Sequence, residues 1–111
     1  MRLKTEIWIQ ALIRRAETGG AMAMVVSRGD RDAGGTLIRI NRLDGYSSLL
    51  SPVTALEGGR IWRVITGPDT GNTEGEEMIA KECKRDPDLW VVEIEDRHGR
   101  HFIEETVEGI W

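Results

Sequence analysis

The sequence predicts an α/β (α+β) fold of one domain: a mixed sheet of about five strands with helices packed on both faces, in the order α-β-β-β-β-α-β. Two segments, residues 21–27 and 89–95, are apolar on both faces of an extended chain, which is typical of strands covered from two sides. Two amphipathic segments, one over 4–18 and one beginning at Thr73, have the helical periodicity needed to cover them. The 111 residues are enough for one core, so we expect a single globular domain over 1–111.

The first helix is predicted over about residues 4–18. Its apolar residues recur at helical spacing and form one broad stripe: Trp8, Ile9, Leu12, Ile13 and Ala16. Gly19 and Gly20 follow at once, and glycine accepts the left-handed backbone that ends many helices. The polar face carries Glu6 and Glu17, which an anionic membrane surface would repel. We therefore expect the helix to pack on the domain's own sheet.

Strands are predicted to follow this helix. The segment AMAMVVS, residues 21–27, is apolar on both faces and is expected to lie in the centre of the sheet. The Gly-containing loop 28–35 leads into TLIRIN, residues 36–41, so the first two strands are predicted to form a hairpin. A tight turn at 43–45 then leads to a third strand at 46–50, which makes strands two and three a meander.

A fourth strand at residues 60–66 precedes the second helix. The helix is predicted to begin with a capping box, in which the Thr73 hydroxyl accepts a hydrogen bond from the Glu76 amide and the Glu76 carboxylate accepts one from the cap amide. Pro87 ends the helix. Cys83 lies on its inward face with no base placed beside it by local spacing, which favours a packed apolar thiol over a nucleophile.

The fifth strand is predicted over LWVVEIE, residues 89–95. Side chains alternate along it, so that one face carries Trp90, Val92 and Ile94 and the other carries Leu89, Val91, Glu93 and Glu95. The connection from the fourth strand through the second helix is long enough for a crossover, which allows a parallel pairing. A two-layer arrangement with both helices on one face is the alternative.

Composition narrows the classes of function. A single cysteine excludes an intramolecular disulfide, and no apolar run reaches the roughly 18 residues needed to cross a bilayer. Charged residues interrupt the amino-terminal stretch too often for a signal-peptide core, so a cytoplasmic location without membrane attachment is predicted. The chain lacks a phosphate-binding glycine loop, paired cysteines for a structural zinc site and a serine nucleophile elbow. No cofactor is predicted.

The charge distribution is uneven along the chain. Residues 1–42 carry eight basic and four acidic residues, a net +4, whereas residues 43–111 carry seven and fifteen, a net −8. A basic half could serve a nucleic-acid accessory protein, and this function stays open as an alternative. The basic residues are spaced singly without aromatic residues between them, so we expect the two halves to pair with each other inside the fold.

Candidate metal ligands lie in the corner that follows the fifth strand, residues 93–104. Two imidazoles and several carboxylates fall within twelve residues, and Gly99 would let the imidazoles converge on a divalent transition metal, as a metal-assisted hydrolase needs. The residues predicted as ligands are Glu95, Asp96, His98 and His101. The competing interpretation is a solvated turn whose carboxylates pair with Arg39 or Arg63 on neighbouring strands.

The end of the chain suggests an interaction site. Residues 106–111 are predicted to form a C-terminal tail that ends in two large apolar residues, Ile110 and Trp111. Burial of these side chains would contribute roughly 2–3 kcal/mol each. We therefore predict that they dock on the domain itself, on a protein partner or on a second copy of the chain.

Three blocks of the sequence resemble a family of small uncharacterised proteins found mainly in alphaproteobacteria and known only as a domain of unknown function. The blocks are RLKTEIWIQALIRRAE, the loop RGDRDAGG with LIRINRLDG, and DPDLWVVEIEDRHGRHF, and together they span Arg2 to about Glu105. The resemblance implies a bacterial cytosolic protein of three-layer α/β type and no particular activity. The function expected on balance is a non-enzymatic protein-interaction or self-associating domain.

Overall fold

The computed structural model describes residues 4–67 and 69–109. Its elements in chain order are α1 (Thr5–Thr18), β1 (Met22–Ser27), β2 (Thr36–Asn41), β3 (Ser47–Thr54), β4 (Arg60–Val64), α2 (Asn72–Arg85), β5 (Trp90–Glu95) and β6 (Val107–Glu108). All six strands form one sheet in the order β1-β5-β2-β3-β4-β6. The predicted fold class and the order of the first seven elements are confirmed, and β6 adds a short sixth strand. Within the described ranges, no helix is long and apolar enough to span a membrane.

Helix α1 covers one face of the sheet. Its stripe of Ile9, Leu12 and Ala16 is buried to 1% exposure or less. The sheet side chains in the same cluster come from four strands, and they include Ile38, Ile40, Leu50, Trp62, Trp90, Val92 and Ile94. Burial of each large aliphatic side chain of this kind contributes about 1.5–3 kcal/mol, which makes this face the main core of the domain.

Helix α2 covers the opposite face over a smaller area. Buried Leu37, Leu49 and Val91 form the sheet side of this second core. Half-buried residues of the helix pack against them, among them Ile79 and Cys83. The thiol is therefore part of an apolar contact, as the spacing of Cys83 indicated. Because the two helices lie on opposite faces, the three-layer arrangement holds and the two-layer alternative does not.

Strand β5 lies in the interior of the sheet, the position that the sequence predicted for β1. It pairs antiparallel with β1 on one side and parallel with β2 on the other. The predicted hairpin of β1 and β2 is therefore wrong, and β1 is an edge strand and not a central one. The physical reason is that the crossover through α2 returns β5 between the two earlier strands, where its buried residues Trp90 and Val91 are covered from both faces. The predicted meander of β2 and β3 is confirmed.

The loop between β1 and β2 must cross the end of β5, and its glycines make this crossing possible. A Cβ atom at Gly29 would lie 2.0 Å from the carbonyl oxygen of Asp88, and one at Gly34 would lie 2.3 Å from the same atom. The amide of Asp30 donates to that oxygen at 3.0 Å. Backbone therefore packs on backbone here, at a distance that only glycine allows.

The predicted capping box of α2 is wrong. The helix begins at Asn72, one residue before Thr73, and its N-cap is Gly71, which has no side chain to accept a hydrogen bond. Thr73 is therefore already inside the first turn. The Glu76 carboxylate lies 3.8 Å from the guanidinium of buried Arg39. This contact joins the helix to a distant strand, so local sequence patterns do not encode it.

Candidate functional site

The first carboxylate of the predicted corner is used inside the fold. Arg39 on β2 is 6% exposed and donates to the Glu93 carboxylate at 3.2 Å. The same guanidinium donates to the Ser47 hydroxyl at 3.3 Å and to the Asn72 carbonyl at 3.1 Å. The predicted pairing of a corner carboxylate with Arg39 is confirmed. The other suggested partner, Arg63, bonds to Glu108 instead, so that part of the prediction is wrong.

Asp96, one of the four predicted metal ligands, is held by Arg100. Its carboxylate is 5% exposed and accepts hydrogen bonds from the Arg100 backbone amide at 2.8 Å and from the side-chain Nε and a terminal nitrogen at 2.9 Å each. The side-chain hydrogen bonds from Arg100 lower the pKa of Asp96, and in return Asp96 raises the pKa of Arg100. Gly99 adopts a φ of 68° in the turn that brings the two together. The Asp96 carboxylate is therefore occupied by its ion pair with Arg100.

His101, another predicted ligand, also bonds to the protein. Its Nδ1 atom accepts a hydrogen bond from the Ile103 amide at 2.9 Å. Burial lowers the pKa of His101, which keeps the imidazole neutral and able to accept this bond. The residue between the two, Phe102, has a φ of 58°, an uncommon value for a residue other than glycine. The ring of His101 therefore helps to fix the irregular chain between β5 and β6.

The other two predicted ligands line the same cavity as Asp96. A shallow cavity of about 300 Å³ is lined by Glu95, Asp96 and His98, together with the exposed side chain of Met22 at the end of β1. Among residues 4–67 and 69–109, no group of three or more His, Cys, Asp or Glu side chains is placed to hold a metal ion. The metal site stays a prediction, and the geometry of the described residues gives it no support.

The basic residues of the first half pair with carboxylates, several of them in the acidic half. Arg15 on α1 bonds to Glu104 at 2.9 Å, which joins the first helix to the segment after β5. The Arg39 contact with Glu93 is a second link between the halves. Within the first half, Arg28 bonds to Glu6 at 2.7 Å. These pairs follow the expected resolution of the charge asymmetry, and they leave the nucleic-acid alternative without support.

Strand β1 carries the feature that the sequence did not reveal. Its side chains alternate between exposed and half-buried. Met22, Met24 and Val26 are exposed to 63%, 38% and 53%, whereas Ala23 and Val25 pack against the α1 core. The three exposed side chains point to the face on which α2 lies, where the buried sheet residues packed with α2 are Leu37, Leu49 and Val91 of β2, β3 and β5. An apolar stripe thus borders an edge of the sheet.

The sequence shows the alternation of this strand but not the exposure of its stripe. Small Ala23 alternates with large Met22 and Met24, so small and large side chains lie on opposite faces. Because every residue of the segment is apolar or small, the pattern does not tell an open face from a covered one. Strand order decides that question, and strand order comes from the pairing of β5 with β2.

The predicted partner-binding residues Ile110 and Trp111 lie outside the described residues. Before them, Val107 and Glu108 form β6, which pairs in parallel with β4. Gly109 follows with a φ of 111° and lies against Val64, where a Cβ atom would approach the valine side chain to 3.1 Å. The segment predicted as a tail therefore begins as a strand of the sheet. The docking of Ile110 and Trp111 stays a prediction.

The fold and the surface define a small three-layer α/β domain with an apolar edge strand. The chain matches the family described as "Protein of unknown function (DUF1491)" over residues 3–104, and it belongs to that family. The resemblance seen in the sequence is thereby confirmed. The family has no established activity.

Solved structures of relatives have the same fold. The crystal structure of a DUF1491 family protein from Caulobacter crescentus has a TM-score of 0.90 and 44% identity, and the alignment covers 96% of this chain and 100% of that one. The NMR structure of a DUF1491 family protein from the same organism has a TM-score of 0.86 and 44% identity, with 98% and 99% covered. The solution structure of a protein from A. tumefaciens has a TM-score of 0.81 and 28% identity, with both chains fully covered. A search of curated proteins finds no significant match.

Proposed function

We propose that this chain is a non-enzymatic interaction domain of the bacterial cytosol, and that its binding element is the free edge of β1. In this mode of recognition an extended segment of protein adds to the sheet as a further strand. Main-chain hydrogen bonds to the edge supply affinity, and side-chain contacts along one face supply specificity. The bacterial assignment is supported by the organisms of the relatives, and the cytosolic one by a single cysteine without a disulfide partner.

The observation that carries the proposal is an apolar edge strand beside which the described part of the chain places no further strand. Natural proteins place lysine, proline, inward-pointing charges or bulges on the edge strands of their sheets, because an open edge strand pairs with strands of other chains. Strand β1 has the sequence MAMVVS, with neither charge nor proline, and its single bulge comes only at the far end, between Val25 and Ser27. An edge of this kind is stable in a cell when a specific partner covers it.

The side chains along the edge give the same indication. Other exposed apolar residues of the described chain, such as Leu56 and Ile65, belong to separate elements and resemble the scattered apolar side chains of any protein surface. Met22, Met24 and Val26 instead form one row on one strand. Methionine is common at surfaces that bind protein segments, because its flexible thioether adapts to the partner.

A peptide with the sequence of residues 20–28, GAMAMVVSR, is a suitable probe, since it is an apolar strand without the rest of the domain. Labelled with a fluorophore and titrated with the full-length protein at low concentration, it should bind with a rise in fluorescence anisotropy. Met24→Lys in the protein should weaken binding about 10- to 100-fold, because burial of a methionine is worth about 1.5–3 kcal/mol.

The matched control is Ile65→Lys, which alters a side chain of similar exposure, 41% against 38% for Met24, next to β4 at the far side of the sheet. This variant should bind the peptide as the wild type does. At a protein concentration where light scattering gives the mass of one chain, absence of peptide binding, or equal losses for the two variants, would rule out strand addition at β1.

A further inference from the structure

We infer that the strand that adds to β1 is β1 of a second copy of this chain, paired antiparallel about a two-fold axis at Met24. This inference rests on the proposed function and names its partner. It is carried by three observations: the direction of the outward-facing peptide groups of β1, the match of the exposed side chains with themselves, and the absence of charged side chains on the strand.

The pairing of β5 fixes which peptide groups of β1 are free. The amide of Trp90 donates toward β2, and in a parallel pair alternate residues of β5 do the same. The residues between them, including Glu93, bond toward β1, where Glu93 lies opposite Met24. Met24 therefore bonds inward. The N–H and C=O groups of its neighbours Ala23 and Val25 point away from the sheet, on the side where the described residues place no other strand beside β1.

A two-fold axis at Met24 brings these free groups together. Ala23 of each copy lies opposite Val25 of the other, and the two pairs exchange four N–H···O=C hydrogen bonds. Met24 faces Met24 across the axis in the narrow type of pair, with Cα atoms about 4.5 Å apart. Met22 lies toward Val26 of the other copy, beside the bulge between Val25 and Ser27. Each exposed apolar side chain of the row thus meets an apolar side chain of the second copy.

Charge is compatible with the same arrangement. The strand itself carries no charged side chain, so no like charges meet across the axis. Arg28, which follows the strand, bonds to Glu6 of its own chain at 2.7 Å, so its charge is paired within each copy. An uncharged strand can therefore lie against a second copy of itself without repulsion between like charges.

Disulfide trapping tests the register. In a Cys83→Ala background, Met24→Cys should form a covalent dimer under mild oxidation, because Cα atoms about 4.5 Å apart lie within disulfide range. Met22→Cys is the matched control: it is more exposed than position 24, yet its two copies lie about 14 Å apart in this register and should remain unlinked. Equal cross-linking at both positions would overturn the register, since exposure alone would explain it.

Light scattering on the intact protein tests the dimer itself. The wild type should have the mass of two chains of 12.5 kDa, and the Met24→Lys variant should have the mass of one. Sedimentation should show that this variant dimerises at least about 100-fold more weakly, because two methionine contacts are lost and two like charges face each other. The Ile65→Lys control should remain a dimer.

The peptide titration, read together with the mass of the protein, distinguishes a failure of strand addition at β1 from a failure of the two-fold dimer. If the wild type is one chain in mass and the peptide binds, strand addition stands and the second copy is not the partner. If the wild type is a dimer that Met24→Lys leaves intact and the peptide does not bind, the interface lies elsewhere and both ideas fail. A dimer that Met24→Lys dissociates, together with cross-linking at Met24 alone, supports the two-fold pairing of β1.

Discussion

Removal of the guanidinium of Arg39 should destabilise the domain strongly, although Arg39 touches no proposed binding surface. Its side chain is 7% exposed beneath α2, and that of its partner Glu93 is 14% exposed. Arg39→Met would leave the Glu93 carboxylate without its ion pair and the Asn72 carbonyl without its side-chain donor. A buried charge that has lost its partner is the costly case, because water does not replace the missing interaction.

The size of the expected loss in unfolding free energy follows from the burial of the Arg39–Glu93 ion pair. Separation of a buried ion pair costs about 3–5 kcal/mol, and the residual exposure of Glu93 places this one at the lower end, about 3 kcal/mol. For a domain of this size the melting temperature should fall by about 10 °C. Replacement of both partners, Arg39→Met with Glu93→Leu, should recover at least half of that loss, because no unpaired charge remains in the core.

Urea unfolding followed by tryptophan fluorescence measures these free energies. The exposed pair of Arg63 and Glu108 is the control, since its side chains are 58% and 53% exposed. Arg63→Met should cost no more than about 1 kcal/mol. If the double variant of Arg39 and Glu93 shows the simple addition of the two single losses, the partners are not coupled and the reasoning is refuted.

Three further outcomes are expected. Gly29→Ala should cost about 1–3 kcal/mol in urea unfolding, because its Cβ would overlap the carbonyl of the turn before β5, whereas Gly67→Ala, with open space around it, should be nearly neutral. Asp96→Asn should lower the free energy of unfolding at pH 7, where the wild-type carboxylate with its depressed pKa is charged. The difference from wild type should shrink as pH falls below about 4 and protons bind that carboxylate. Addition of zinc should leave the unfolding midpoint of the wild type unchanged. If zinc instead raises that midpoint, and the double variant His98→Ala, His101→Ala loses the rise, the metal site is established.

The elements of this fold could be predicted from the sequence because each has a local cause. The stripe of α1 and its Gly19 stop define the first helix, and the alternation in β5 assigns Trp90 and Val91 to opposite faces. The end of α1 also shows where such reasoning stops. Gly19 lies against the ring of Phe102, with a Cβ position 2.4 Å from a ring atom, so a larger residue would have to displace a ring 83 positions away in the sequence.

The sequence showed which titratable residues the corner after β5 contains, but it did not show which groups they bond to. Its acidic and imidazole groups lie close in sequence, and Glu95, Asp96 and His98 do line one cavity. The partners that occupy two of the predicted ligands come from the local turn, where Arg100 bonds to Asp96 and the amide of Ile103 bonds to His101. A sequence lists the groups available to a metal, whereas backbone geometry decides which of them bond to the protein.

The error in strand order and the proposed interface have one cause. Had β1 and β2 formed a hairpin, loop 28–35 would be an ordinary turn with no need for Gly29 or Gly34 to approach Asp88. Because β5 lies between the two strands, the loop must cross its end, and β1 is displaced to the edge with its apolar row uncovered. The same crossover that supplies the buried central strand therefore creates the free edge. A second β1 would continue the sheet through that edge and give β1 the central position that its apolar sequence favours.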